Sequence, residues 1–283
     1  MREMRKIIWL LIPFLLACQS TSPPEQVAEI PESFLPIPYV SNVVEIDGDL
    51  SEWKEKAFCE GWWDLDRLRH TDWYSPKRNR LADHGEDNIP ADDLSARYYI
   101  AWSDSFLYLA AEVRDNVNDV TESRHAPKRW YYKDAISFFI EAPLDTVNEI
   151  FAEGDHGFAF VIDSTRPDYG AWWRHGDADS SFIEEPLPEQ AVTYAIQFNP
   201  WGHSPADYVL EAKIALHATF AMGDPAWTSP KIGDRYRLMI VHCDPDGGEY
   251  GGHLLIYGKG DPDESWTEAR LVGEQEVIIR KSR

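Results

Sequence analysis

Positive charge is in short supply in this chain: 27 lysines and arginines stand against 49 aspartates and glutamates, for a net charge of −22. Such a surface repels phosphate backbones and anionic headgroups, which argues against nucleic-acid binding and charge-driven adsorption to membranes. Acidity of this degree can signal disorder, but aromatic residues make up 13% of the chain and supply the core-building surface that disordered segments lack. Enzyme signatures are missing as well. No HExxH, GxSxG or GxGxxG motif and no GxxxxGK phosphate loop occurs, and none of the nine histidines lies within four residues of another. A local transition-metal or nucleophile site is therefore unsupported. Catalytic groups that assemble across a fold leave no such trace, so hydrolysis of glycosidic bonds stays an alternative. Beyond Cys18 only Cys59 and Cys243 remain. An oxidising compartment would let them pair, and a core would hold them as two separate thiols; both readings stay open. Internal repeats and long amphipathic helical patterns are also absent, and one apolar run stands alone at the start of the chain.

That run extends from Ile7 to Ala17, interrupted by Pro13 and preceded by Arg2, Arg5 and Lys6. A positive segment followed by a short apolar stretch has the layout of a secretory signal, and it is too short to span a bilayer. It ends in Leu15-Leu16-Ala17-Cys18, which resembles the lipobox of bacterial lipoproteins, with Leu16 bulkier than usual for its position. The resemblance implies a signal peptide over residues 1–17, cleavage before Cys18, and acylation of the new N-terminus and its sulfur. Several acyl chains hold a protein to a membrane far better than one, at about 0.8 kcal/mol per buried methylene. Gln19, rather than Asp, after the cysteine points to the outer membrane or cell surface under the enterobacterial sorting rule. Residues 18–38 are rich in Ser, Thr, Gln and Pro and read as a flexible linker below a domain spanning 39–283.

From Val43 onward, short β-type runs alternate with turn clusters. Arg97–Trp102 and Phe106–Val113 flank Ser103-Asp104-Ser105 and read as a hairpin. Ala135–Glu141, Phe158–Asp163, Ala191–Phe198, Tyr208–Leu216, Arg235–His242, Leu254–Tyr257 and Val277–Arg280 follow in the same style. In Tyr208–Leu216 apolar and polar positions alternate with a period of two, which sets one buried face against one solvated face. Single helical turns fit Asp145–Ala152 and His217–Met222, and Tyr74–Ser95 reads as a long polar loop. Strands without crossover helices predict an all-β fold: an antiparallel, jelly-roll-like β-sandwich with long loops and one or two short helices.

Four segments carry a family resemblance. Ile46-Asp-Gly-Asp-Leu-Ser-Glu-Trp53, the strand Phe106–Asn116, Trp130 with Asp134–Glu141, and Tyr208-Val-Leu-Glu211-Ala-Lys-Ile214 resemble, in order, the motifs of carbohydrate-binding module family 9 and its DOMON-like relatives. Ala215 stands where proline is common in that family. The resemblance implies a sugar-binding β-sandwich, often with structural calcium, that serves polysaccharide capture or breakdown beside glycoside hydrolases. Here those hydrolases would be separate proteins. Related sandwiches can hold haem, for which Met222, Met239 and Lys213 are the candidate ligands in this chain, so electron transfer is a second alternative.

Sugar rings stack their C–H faces on flat aromatic side chains while polar groups bond the hydroxyls. Trp130, Trp172 and Trp173 with Tyr169 are the candidate platforms, and Arg97, Asp115 and Asn116 the candidate polar contacts. Trp62-Trp63 and Trp73 lie near the opening strand and read as packing residues, as do Trp53 and Trp102. Asp47 and Asp49 have oxygen-rich spacing suited to calcium, although Asp-Gly is also a strong turn former, and Asp134 is a third candidate ligand.

Overall fold

The computed structural model describes residues 34–68, 71–73, 93–120, 130–145, 152, 154–165, 171–176, 182–223, 227–245 and 252–274. Cys18, the signal segment, most of the linker, Tyr169 and the expected strand Val277–Arg280 lie outside them, as does nearly all of Asp145–Ala152 and of the loop after Trp73.

Alternation of side chains governs the architecture. Phe138 and Ile140, Phe158 and Phe160, and Leu238 and Ile240 point one way from their strands; Leu107, Leu109 and Ala111 point back at them from a second sheet, closing one apolar core between the two. The strands are β1 (Leu35–Pro38), β2 (Asp72–Trp73), β3 (Leu94–Trp102), β4 (Phe106–Asp115), β5 (Ala135–Glu141), β6 (Asp155–Val161) and β7 (Ala171–Gly176). β8 (Phe182–Pro186), β9 (Val192–Phe198), β10 (Tyr208–Ala215), β11 (Arg235–Asp244), β12 (Gly252–Ile256) and β13 (Thr267–Val272) complete the set. The larger sheet runs β1-β13-β11-β5-β6-β7-β8, with β12 also on β11 and β2 on β12; the smaller runs β3-β4-β10-β9. Among the described residues two short helices occur, α1 (Leu65–Leu68) and α2 (Leu216–Gly223). The all-β sandwich expected from the sequence is what forms, and all strand pairs are antiparallel except β1 with β13.

β1 corrects the boundary of the domain. Leu35–Pro38 belongs to the sandwich and not to the linker, with Leu35 and Ile37 in the core. Its prolines are tolerated because β1 is an edge strand, where a missing N–H breaks no inner ladder.

The outward face of the small sheet is partly roofed. Val40, Val44, Leu50, Trp53 and Ala57 pack on Tyr99, Ala101, Tyr108, Ala110 and Val209. What pins this roof is one carboxylate: Glu211 of β10 accepts from the backbone of Asp47 (3.0 Å) and Gly48 (2.9 Å) and from Trp53 Nε1 (2.7 Å). Gly48 has φ +91°, and a Cβ there would stand 3.0 Å from the Gln197 side chain, so the close approach needs glycine. The outward face of the large sheet carries its own cluster of Trp130, Phe139, Met239, Cys243, Leu255 and Trp266. Cys59 and Cys243 thus lie on opposite outer faces as two buried free thiols, which settles the pairing question against a disulfide. No helix among the described residues is long and apolar enough to cross a membrane.

Candidate functional site

β3 and β4 place Arg97 and Arg114 on the uncovered part of the small sheet's outward face, since Arg97 pairs across with Glu112 and Ser95 with Arg114. The chain before β3 runs alongside it, bridging Phe58 to Ile100 and Trp63 to Ala96. That extended path turns Trp63 toward the core and Tyr257, and sends its neighbour Trp62 outward. The β9–β10 connection brings Trp201 over the same surface, 39% exposed. The connection is held in shape by Asn199, with φ +50°, and by Asp207, which accepts from the amides of Ser204 and Asp115.

Trp62 and Trp201 meet edge to face with ring centroids 6.3 Å apart. The Arg97 guanidinium lies 4.7 Å from the Trp62 ring, and that of Arg114 lies 5.2 Å from Trp62 and 5.8 Å from Trp201. Arg97 is paired with the buried Glu112, which also accepts from Tyr99 Oη at 2.6 Å. Beside this aromatic group opens a cleft of about 550 Å³ lined by Ser95, Arg114, Asn116, His203, Ser204 and Asp207. Flat apolar faces beside convergent polar groups can bind a small polar ring compound by stacking and hydrogen bonding together.

The site residues read from the sequence are divided by the structure. Arg97 and Asn116 belong to this surface. Asp115 borders the cleft but is only 4% exposed; its carboxylate accepts from the Val117 amide and lies in a buried group with Asp134 and Asp244. Trp173 is 1% exposed in the central core, where its Nε1 donates to His156 Nδ1, so it offers no face to a ligand. Trp130, 4% exposed, is stacked on His253 and covered on the large sheet's outer face, and Trp172 packs partly buried beside it. Alternation along β7 explains the split between the last two tryptophans: neighbours in a strand must face opposite ways. Trp62, expected from the sequence to be a packing residue, meets Trp201, which the sequence reading does not single out. An indole in the Asn199-Pro200-Trp201-Gly202 turn sits where no core can reach it.

Asp47 and Asp49 are exposed turn residues: Asp47 Oδ1 accepts from the Asp49 amide and Asp49 Oδ1 from the Ser51 amide. Asp134 instead joins Asp115 and Asp244, with carboxylate oxygens that lie within 4.8 Å of one another. A second buried group, Glu141, Asp155 and Asp263, sits on the large sheet's outer face against Arg237, which reaches Glu141 at 2.9 Å and Asp263 at 3.1 Å. Burial, with Asp263 and Glu141 beside it, pushes the Asp155 carboxyl up to about 8, and burial takes Glu141 up to about 7. The haem ligands do not converge. Lys213 lies over Phe106 on one outer face and Met239 is buried on the other, with both sheets between them; the Met222 side chain is outside the described residues.

A β-sandwich with an indole pair, half-buried Trp62 against exposed Trp201, beside a polar cleft has the form of a binding domain. The chain belongs to the carbohydrate family 9 binding domain-like family, whose model matches residues 69–278. A solved family 9 carbohydrate-binding module from Caldicellulosiruptor kristjanssonii in complex with cellotriose is similar in fold, with 16% identity and a TM-score of 0.50 over 88% of this chain and 98% of that one. A crystal structure of a candidate carbohydrate-binding protein from Bacteroides uniformis aligns with 11% identity and a TM-score of 0.53 over 84% and 98% of the two chains. A search of curated proteins returned no match.

Proposed function

We propose that this chain binds carbohydrate, with Trp62 and Trp201 as the stacking surface and Arg114, Asn116 and His203 as hydrogen-bonding groups. The observation that carries the reading is the edge-to-face pair of the half-buried Trp62 and the exposed Trp201 beside the 550 Å³ cleft. Buried tryptophans serve the core, whereas a large ring left exposed beside polar groups is the feature expected of a recognition surface. Family membership and the cellotriose complex of a related fold support sugar as the ligand class. Trp201→Ala and Trp62→Ala should each weaken binding about tenfold, as read by tryptophan fluorescence titration with oligosaccharides; a single interaction worth about 1.4 kcal/mol accounts for that factor. Unchanged affinity in both variants would remove this surface from the account.

In the same proposal the domain is exported and held at the outer membrane or cell surface through a lipid on Cys18. It captures polysaccharide for breakdown by separate glycoside hydrolases. Metabolic labelling with a fatty-acid analogue, lost in Cys18→Ser, tests the anchor. Asp115, Asp134 and Asp244 would hold a calcium ion. Their donors are all oxygen, and a mutual spacing within 4.8 Å suits ligands that each stand about 2.3–2.6 Å from one ion. Such an ion would neutralise carboxylates drawn from both sheets.

A further inference from the structure

We infer that the sugar recognised at the Trp62–Trp201 surface is anionic, carrying a uronic-acid carboxylate or a sulfate ester that Arg114 binds. The inference rests on the carbohydrate reading above and names the class of sugar.

It starts from charge. In a chain of net charge −22, an average stretch of surface is acidic, yet two arginines, Arg97 and Arg114, stand over this indole pair. The two arginines differ in one respect. Arg97 is neutralised by Glu112, a carboxylate that Lys54 also approaches at 3.5 Å. Arg114 is exposed and has no carboxylate partner among the described residues; its contacts are the two indole rings.

Those contacts suit it to a ligand. A guanidinium held near aromatic rings by cation–π attraction spends none of its N–H donors on them, and those donors all lie in one plane. The rings hold the side chain in place, so little rotamer freedom remains to be lost when the donors engage. A planar fork with fixed orientation matches a carboxylate or sulfate in bidentate fashion, whereas a neutral hydroxyl uses only one of its donors.

The cleft wall is compatible with an anion. Asp207 and Asp115 are buried and turned to protein groups: Asp207 accepts from the Ser204 and Asp115 amides and lies 3.5 Å from His203 Nδ1, and Asp115 accepts from Val117. The remaining polar lining is Ser95, Asn116, Ser204 and His203; Asn116 donates to Asp93 at 3.4 Å and Ser204 Oγ accepts from the Ala206 amide at 3.1 Å, while His203 keeps its second ring nitrogen for a hydroxyl.

The test compares the mature chain's affinity for matched pairs: a uronic-acid oligosaccharide against its carboxyl-reduced form, a sulfated oligosaccharide against its desulfated form, and neutral gluco-oligosaccharides. At least one charged member should bind tenfold or more tightly than its neutral counterpart, and the arm that does so identifies the anionic group. The preference should shrink as salt is raised from 50 to 500 mM, and it should collapse toward unity in Arg114→Gln, with Arg114→Lys restoring part of it. Equal affinity for charged and neutral members, or a preference untouched by Arg114→Gln in a variant with wild-type thermal stability, overturns the inference while leaving the carbohydrate reading in place. Absence of binding across the whole set overturns both. The wild-type ratio and its salt dependence decide the matter even where the variant folds poorly.

Discussion

Glu211 shows how far a single residue can hold this fold in place. Its carboxylate meets three donors from the roof segment, two of them backbone amides that would otherwise be stranded over the small sheet. Glu211→Ala removes all three acceptor contacts, and at about 1–3 kcal/mol for a buried donor left unsatisfied, the expected loss is on the order of 3 kcal/mol. Urea denaturation measures it, and a loss below about 1 kcal/mol would mean that the roof holds by apolar packing alone. Asp155 carries a pH dependence of definite sign. Its folded-state value of about 8 stands above the ordinary 3.8, and Glu141 at about 7 stands above 4.5, so the folded protein retains protons that the unfolded chain releases. That stability is complete below the unfolded values and is lost as pH rises through the folded ones, against the fixed charge of Arg237. His156 works in the opposite sense, with burial holding it down at about 3, but its stability is lost only as pH falls below the usual 6.5. Thermal stability should therefore fall between about pH 6.5 and 8.5, by up to about 1.4 kcal/mol per pH unit for each proton released. Asp155→Asn should flatten that limb in a melting series across the range. Residue types made part of the proposed site readable and hid the rest. Trp62 and Trp63 are the same residue type side by side, and only the bridges from Phe58 to Ile100 and from Trp63 to Ala96 decide which one packs on the central core.

Among the elements, those built from clean alternation and a tight turn were readable in advance. β3 and β4 form the expected hairpin across Ser103–Ser105, extended to Leu94 and Asp115, and β5 and β10 match their runs to within a residue. β7 is not among the runs read as strands from the sequence; it forms because Trp173 fills the core and Arg174 finds Glu184 across the β7–β8 pair at 2.8 Å. The segments resembling the family motifs divide in an instructive way. Asp47-Gly48 and Trp53 meet Glu211, so two of the most recognisable motifs report how the roof is fastened rather than which ligand is bound. The stacking surface proposed here draws instead on Trp62 and on a turn between strands, outside those motifs, so the family resemblance locates the fold without pointing to it. Burial on opposite outer faces also predicts the behaviour of the thiols. In a Cys18→Ser chain, Cys59 and Cys243 should both react with a thiol reagent after denaturation and neither before, without added reductant. A mass decrease of two protons with no reactive thiol after unfolding would contradict the placement.

At the scale of the whole molecule, the sandwich has to join two sheets whose facing ends both carry buried acid. Asp115 closes β4 in the small sheet, while Asp134 precedes β5 and Asp244 closes β11 in the large one. A calcium ion held by these three would tie the sheets together as well as neutralise them. Chelation should then lower the melting temperature by several degrees, at about 2–4 °C per kcal/mol for a chain of this size. Asp244→Asn should melt at the chelated temperature with or without calcium; no response of the wild type to either treatment would remove the ion from the account. The acidic composition, the proposed Cys18 anchor and the Trp62–Trp201 pair would together make a tethered domain that presents one face to a glycan. The most direct test of that description is a titration of the mature chain with a broad oligosaccharide panel, followed by tryptophan fluorescence and repeated with Trp62→Ala/Trp201→Ala. The account predicts saturable binding to at least one class of sugar, lost in the double variant at unchanged thermal stability. Saturable binding that the double variant retains, or none to any sugar, would contradict it.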